Sequence, residues 1–125
     1  VLWPMVSDRL WLGYGYGVYW TDPRSPAVLL REIVGWYVPT AHNGWLEIVL
    51  NCGLVGLALV LCSFGAALRA AWRQVRRGDP DAFGLAIFLF LLFVTNVAES
   101  RLLQQNALPW VLYTATVVGL AATQV

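Results

Sequence analysis

The feature that most limits how this chain can fold is the run of residues 46–68, LEIVLNCGLVGLALVLCSFGAAL. Its single charge, Glu47, lies at the very start. About 23 residues of this kind are enough for a helix to cross a hydrocarbon core of roughly 30 Å. A second run, residues 82–98, has no charge. Its eleven Leu, Ile, Phe and Val residues favour insertion by about 3 to 7 kcal/mol before Gly84, Thr95 and Asn96 subtract from that. A third run, residues 108–122, is shorter and includes Pro109. The competing arrangement, a soluble all-α core, needs polar faces at a 3.6-residue period. Residues 85–94 read LAIFLFLLFV and offer none. The expected fold is therefore an all-α integral membrane one. It has about three transmembrane helices, at 46–68, 82–98 and 108–122, and a long segment, 1–45, outside them.

Composition agrees, with 59% hydrophobic residues, 12% charged and a mean hydropathy of +0.65. A chain framed by Val1 and Val125, with no cleavable signal pattern, is expected to be a fragment of a longer polytopic protein. Cys52 and Cys62 both fall in the first run, where they act as small apolar residues and report nothing about redox compartment. All eight basic residues are Arg, and a net charge of +1 is too small to suggest nucleic acid as a partner.

The arginines set the expected orientation. Arg69, Arg73, Arg76 and Arg77 crowd the connection 69–81, and the positive-inside rule makes such a short loop cytoplasmic. Residues 1–45 and the connection 99–107 then share the opposite face, the periplasm of a bacterium. In the outer segment, Ser25-Pro26 is a good helix start. Leu29, Leu30, Ile33, Val34 and Tyr37 follow it at helical spacing, which predicts a helix on the membrane surface. Residues 2–12 are also apolar but broken by Pro4, Asp8 and Arg9, and rest at the interface or end a truncated span. Six of the seven Trp residues, at 3, 11, 20, 36, 45 and 110, fall on or near this face. They form either an aromatic belt or a set of rings that stack on sugars.

Several motifs carry potential chemistry. Gly13-Tyr14-Gly15-Tyr16-Gly17 does not fit the dinucleotide fingerprint, because the third glycine comes one residue early. It reads instead as backbone free to adopt positive φ and to approach another helix or a ligand closely. Asp79-Pro80-Asp81 resembles a paired-Asp metal motif but reads better as a turn after Gly78, since no further acid or His lies nearby to complete a cation site. His42, the only histidine, lies at the outer mouth of the first run. An imidazole there can act as a general base at neutral pH. From Asn43 the spacing i, i+4, i+8 puts Asn43, Glu47 and Asn51 on one stripe. Polar groups in a span face the protein interior or a wet cavity, so this stripe is expected to line a cavity. Glu47 either orients His42 or biases the helix start through its dipole. Asn96, Glu99, Ser100 and Arg101 form a second polar cluster at the outer end of the second run. They are either a solvated turn or, through the Arg101 guanidinium, a phosphate contact.

Taken in order, LWLGYGYGVYW (10–20), WYVPTAHNGWLEIVLNCGLVGLALVL (36–61) and NVAESRLLQQNALPWVLYTA (96–115) resemble the C-terminal part of the O-antigen ligase and polymerase superfamily, especially its exopolysaccharide-polymerase branch. The resemblance implies a multi-helix glycosyltransferase of the bacterial inner membrane, with an undecaprenyl-diphosphate-linked glycan as donor and a glycan or lipid A core as acceptor. It implies work on the periplasmic face, with no metal and no cofactor. The residue matched by His42 would activate the acceptor hydroxyl, which attacks the anomeric carbon with inversion, while arginines hold the departing diphosphate. Asn43, Glu47, Glu99 and Ser100 become supporting or orienting residues, and Arg101 and Arg31 the diphosphate-binding candidates. The arginines that family members carry just upstream of the stretch matched by residues 2–3, and on earlier spans, fall before the point where this sequence begins. Two other classes stay open: a transporter or flippase fragment for the same lipid-linked glycans, whose polar stripe lines a path, and a membrane scaffold without chemistry.

Overall fold

A computed structural model describes residues 3–122, so Leu2, the first residue of the expected interfacial stretch, lies outside the described residues. Six helices follow in order: α1 Trp3–Asp8, α2 Val18–Thr21, α3 Ala27–Val34, α4 Gly44–Arg76, α5 Pro80–Thr95 and α6 Leu108–Ala122. There is no strand among the described residues.

The architecture is organised on α4, a helix of 33 residues with a single break at Gly53. It begins where the Asn43 side chain caps it, accepting from the N–H groups of Trp45 and Leu46 at 3.1 and 3.0 Å. It does not stop at residue 68. The stretch 69–81, expected as a loop, is helical to Arg76, because Ala and Arg are strong helix formers and cations in the last turn suit the helix dipole. Only Arg77, Gly78 and Asp79 turn, with Gly78 at φ 87°. Asp79 then caps α5 by accepting from Asp81 N–H at 3.0 Å, with Pro80 in the first turn, so the Asp-Pro-Asp motif is a helix start.

By length and composition α4 can cross a membrane, whereas α5 and α6 are apolar but only 16 and 15 residues long. Only 33% of the most apolar 18-residue stretch of α4 is buried. Leu59, Leu61, Phe90, Leu91, Val111 and Val118 stand exposed on the three helices, a surface that suits lipid. Between the helices, Ile48, Phe64, Ala67, Ala71, Leu89, Leu92, Tyr113 and Leu120 form the core. Ala67, Ala70 and Ala71 let the neighbouring helices approach α4 closely. Rings close its upper half: Phe64 stacks on Tyr113 at 4.7 Å, and Trp45 meets Phe93 at the same distance.

α4 is broken within its apolar stretch. Gly53 has φ 66° and ψ −167°, which divides the helix into a short segment before it and a long one after. The break frees the carbonyls of Leu50 and Asn51 and the N–H groups of Leu54 and Val55, and residues 10–15 take up all four. Tyr14 and Gly15 donate to the two carbonyls at 2.8 and 3.0 Å, and the two N–H groups donate to Leu10 and Trp11 at 2.8 and 3.2 Å. The Gly-Tyr stretch is thus threaded into the hydrogen-bond ladder of the helix, which leaves these four backbone groups satisfied where lipid could not satisfy them.

Around this insertion the outer segment folds over a second core of Met5, Val6, Tyr19, Trp20, Ala27, Leu30, Val38 and Leu50. The expected surface helix is α3, which starts beside Ser25, whose hydroxyl donates to the Tyr19 carbonyl and accepts from Ala27 N–H at 3.3 Å. Leu29 and Ile33 on α3, and Trp36 and Tyr37 just beyond it, are exposed.

Candidate functional site

The sequence places three segments at the Gly44 end of α4, and three glycines allow them to meet. At Gly13 (φ 68°) a Cβ would lie 2.7 Å from the backbone of Asn51, and at Gly53 2.2 Å from that of Trp11. At Gly44 a Cβ would overlap the Asn96 side chain at 2.0 Å. The third contact joins the two polar clusters. Gly44 N–H donates to the Asn96 carbonyl at 2.7 Å, and the Asn96 amide oxygen accepts from Arg101 and Leu102 N–H at 3.0 and 3.1 Å. Asn96 therefore ends α5 at Thr95, short of the expected residue 98, and folds the 99–107 turn back beside the start of α4. The Tyr16 hydroxyl, donating to the Leu103 carbonyl, ties the Gly-Tyr loop to the same turn.

Glu47 sits at the centre. It is 5% exposed and takes three N–H donors: Trp20 Nε1 at 2.7 Å and Asn51 Nδ2 at 3.2 Å on one oxygen, and Ala41 N at 2.8 Å on the other. Asn51 bonds back to the Glu47 carbonyl at 2.9 Å and accepts from Gly17 N–H at 2.8 Å. The Asn43–Glu47–Asn51 stripe therefore does not line an open cavity, because the outer segment covers it and uses its polar atoms as anchors. Nor does Glu47 hydrogen-bond to His42. It holds Ala41, the residue before it, and so fixes the loop from which His42 projects.

His42 has φ 50°, a left-handed conformation that His tolerates better than most residues and that is concentrated at functional sites. Its backbone N–H reaches Thr40 Oγ1 at 3.4 Å, and its exposed side chain has no hydrogen bond among the described residues. Arg31 Nη2 donates to the Trp20 carbonyl, its Cζ lies 4.2 Å from the Tyr37 ring centroid, and its buried Nε has no partner. Arg101 is exposed and borders a 260 Å³ cavity between α5 and α6, lined by Phe88, Leu92, Thr95, Pro109 and Leu112. His42 is not among the residues of that cavity. Glu99 is exposed, and the Ser100 hydroxyl is buried without a partner. The structure thus joins Arg31, Trp20, Glu47 and the His42 loop in one network. It brings the Glu99–Arg101 turn to that network through Asn96.

Tyr14 and Tyr19 brace the loop from below. Tyr14 donates to the Met5 carbonyl at 2.7 Å and meets Tyr19 edge-on at 5.1 Å. Burial, and then the neighbouring Asp8, raise the Tyr14 pKa, which Arg9 partly offsets. Burial, and then charge repulsion from the neighbouring Tyr14 hydroxyl and from Glu47, push Tyr19 up to about 12, so both phenols stay neutral donors. Sequence reasoning missed Trp20 as the partner of Glu47, Gly44 as the contact for Asn96, and the break at Gly53. The close approach offered by alternating glycines was the one signal available for the break. Comparison with protein-family models, curated proteins and solved structures finds no match for this chain.

Proposed function

We propose that this chain is part of a bacterial inner-membrane glycosyltransferase. α4, α5 and α6 would cross the bilayer, and residues 1–45 and 99–107 would lie on the periplasmic face. The donor is a glycan linked to undecaprenyl diphosphate, and the acceptor is a hydroxyl of a growing glycan or of a lipid A core. The observation that carries the reading is the His42 loop. It presents an exposed imidazole with no competing partner among the described residues, in a left-handed turn fixed from behind by Glu47 and joined through Gly44 to the Asn96–Arg101 turn. In the proposed reaction His42 takes the proton of the acceptor hydroxyl as its oxygen attacks the anomeric carbon. The bond from that carbon to the diphosphate oxygen breaks on the opposite side, and the electron pair leaves with the diphosphate. A diphosphate leaves without a general acid, so the remaining need is for cations at the leaving group.

Of the two arginine candidates, Arg101 is the freer, since Arg31 already spends one nitrogen on the Trp20 carbonyl and its face on Tyr37. The transporter reading, in which a polar stripe lines a path, draws no support from Glu47 and Asn51, whose side chains are buried and engaged. The test is His42→Ala in the full-length protein, assayed on a defined lipid-linked repeat unit with and without a lipid A core. Loss of a general base is expected to slow transfer by roughly 10²- to 10⁴-fold with insertion and protein level unchanged. Products of normal length and rate from this variant would end the catalytic assignment.

A further inference from the structure

At the far end of α4 the surface carries two grooves that share a boundary. One, of about 560 Å³, runs between α4 and α5 and is lined by Leu68, Trp72, Ala86, Ile87 and Phe90. The other, of about 590 Å³, runs between α4 and α6 past Ser63, Ala66, Ala70, Val117 and Leu120. Gly65 and Arg69 border both, and a Cβ at Gly65 would meet nothing within 4 Å, so only a low ridge separates the two. Arg69 stands at this boundary, and Arg73, one helical turn on, lines the α4–α6 groove beside it. Both are exposed, and neither guanidinium forms an ion pair or hydrogen bond among the described residues.

We propose that this paired groove binds one anionic two-chain phospholipid, with its phosphate held by Arg69 and Arg73 and one acyl chain lying in each groove. Charge complementarity selects the occupant. Two guanidiniums with no partner among the described residues have the fork geometry that phosphate oxygens accept, and their apolar stems lie along the wall while the heads stay at headgroup level. Basic pockets between spans are established recognition sites for acidic lipid headgroups. The two channels, nearly equal in volume and meeting at a glycine, match the forked shape of a diacyl lipid; the α4–α5 one is apolar apart from Arg69, and the α4–α6 one is polar only where Cys62, Ser63, Arg69 and Arg73 line it. The proposal rests on the reading of α4 as a span but not on glycosyl transfer. The site is at the opposite end of α4 from His42, so its test reads lipid binding rather than enzyme activity.

The full chain, purified into nanodiscs of phosphatidylcholine doped with phosphatidylglycerol, is examined by native mass spectrometry for retained lipid. Wild type is expected to keep one phosphatidylglycerol. The double variant R69Q/R73Q should lower the preference over phosphatidylcholine by about fivefold per arginine removed. Gly65→Leu, which fills the junction without removing charge, should release the bound lipid as well. All three positions are exposed helix surface, and unchanged helical circular dichroism certifies that the variants fold. Equal retention by wild type and R69Q/R73Q overturns the proposal, as does full retention by Gly65→Leu. Displacement by soluble glycerol phosphate overturns it too, since that would mark a phosphate site without acyl seats. A dimer that closes the grooves with no lipid retained is likewise against it.

Discussion

Glu47 is a carboxylate buried with three N–H donors and no cation, so its worth to the fold comes from charge-assisted hydrogen bonds. Glu47→Gln replaces one acceptor oxygen by an NH₂ group that must face either the Trp20 indole or the Ala41 N–H, both donors. We expect a loss of about 1 to 3 kcal/mol in unfolding measured in mixed micelles. Proteolysis at residues 40–43 should also become faster, because the anchor of that loop is weakened. A variant as stable as wild type would mean that the indole contact contributes nothing. Tyr19 gives a second expectation at this scale. Its folded pKa of about 12 lies above the ordinary 10.0, so the native state holds the phenolic proton more tightly than the unfolded chain does. The resulting stability is fully present below pH 10 and is lost as pH rises towards about 12. Tyr19→Phe should flatten that alkaline loss, and circular dichroism melts of the two proteins across the window would reveal it. At this scale the shared stripe was legible, and the Glu47–Asn51 hydrogen bond follows from its spacing, but the cover that the outer segment lays over it was not. Residue type and spacing singled out His42, Asn43, Glu47 and Asn51. Trp20 was not, because it lies 27 residues before Glu47 and no local periodicity connects them. Counting it with the interfacial rings hid a buried indole.

The elements show a different balance between what sequence patterns reveal and what contact decides. α6 begins at Leu108, where its apolar run begins, and is helical to Ala122, the last described residue. α5 ends early because Asn96 gives its carbonyl to Gly44 and its amide oxygen to Arg101 and Leu102, a tertiary demand that hydropathy does not register. The break in α4 was the least legible, since glycine is common in membrane helices and Gly53, Gly56 and Gly65 look alike in sequence. Only Gly53 combines a positive φ with backbone 2.2 Å from where a Cβ would sit. Gly53→Ala, and for the same reason Gly13→Ala, should therefore cost at least about 2 kcal/mol through strain and overlap. Gly65→Ala should be neutral or gain up to about 1 kcal/mol from helix propensity. Parallel unfolding titrations of the three variants check the ranking. If Gly53→Ala behaves like Gly65→Ala, the break is not required by the inserted loop.

For the molecule as a whole, the proposed topology rests on the placement of charge along α4. Between Glu47 and Arg69 the chain carries no charge; the unbroken helix from Leu54 to Arg69 rises about 23 Å, and the short segment before the Gly53 break adds to that towards the roughly 30 Å of a hydrocarbon core. The remaining turns to Arg76 then project into the headgroups with Arg69, Arg73 and Arg76, where cations are favoured on the cytoplasmic side. The proposed topology would put the Arg77–Asp79 turn in the cytoplasm. It keeps the His42 loop and the residue 99–107 turn together on the other face, where Gly44 and Asn96 already join them. The free thiols Cys52 and Cys62 must first be replaced by Ala, and exposed Arg77 and Gln105 can then each be changed to Cys. In intact spheroplasts a membrane-impermeant maleimide should label Gln105→Cys. Arg77→Cys should react only after the membrane is permeabilised. The reverse pattern would put the arginines outside and His42 in the cytoplasm, away from lipid-linked glycans displayed on the periplasmic leaflet. Labelling of both sites before permeabilisation would show that α5 does not cross. In that case the Gly44–Asn96 contact could not join two loops on one face across a three-span fold.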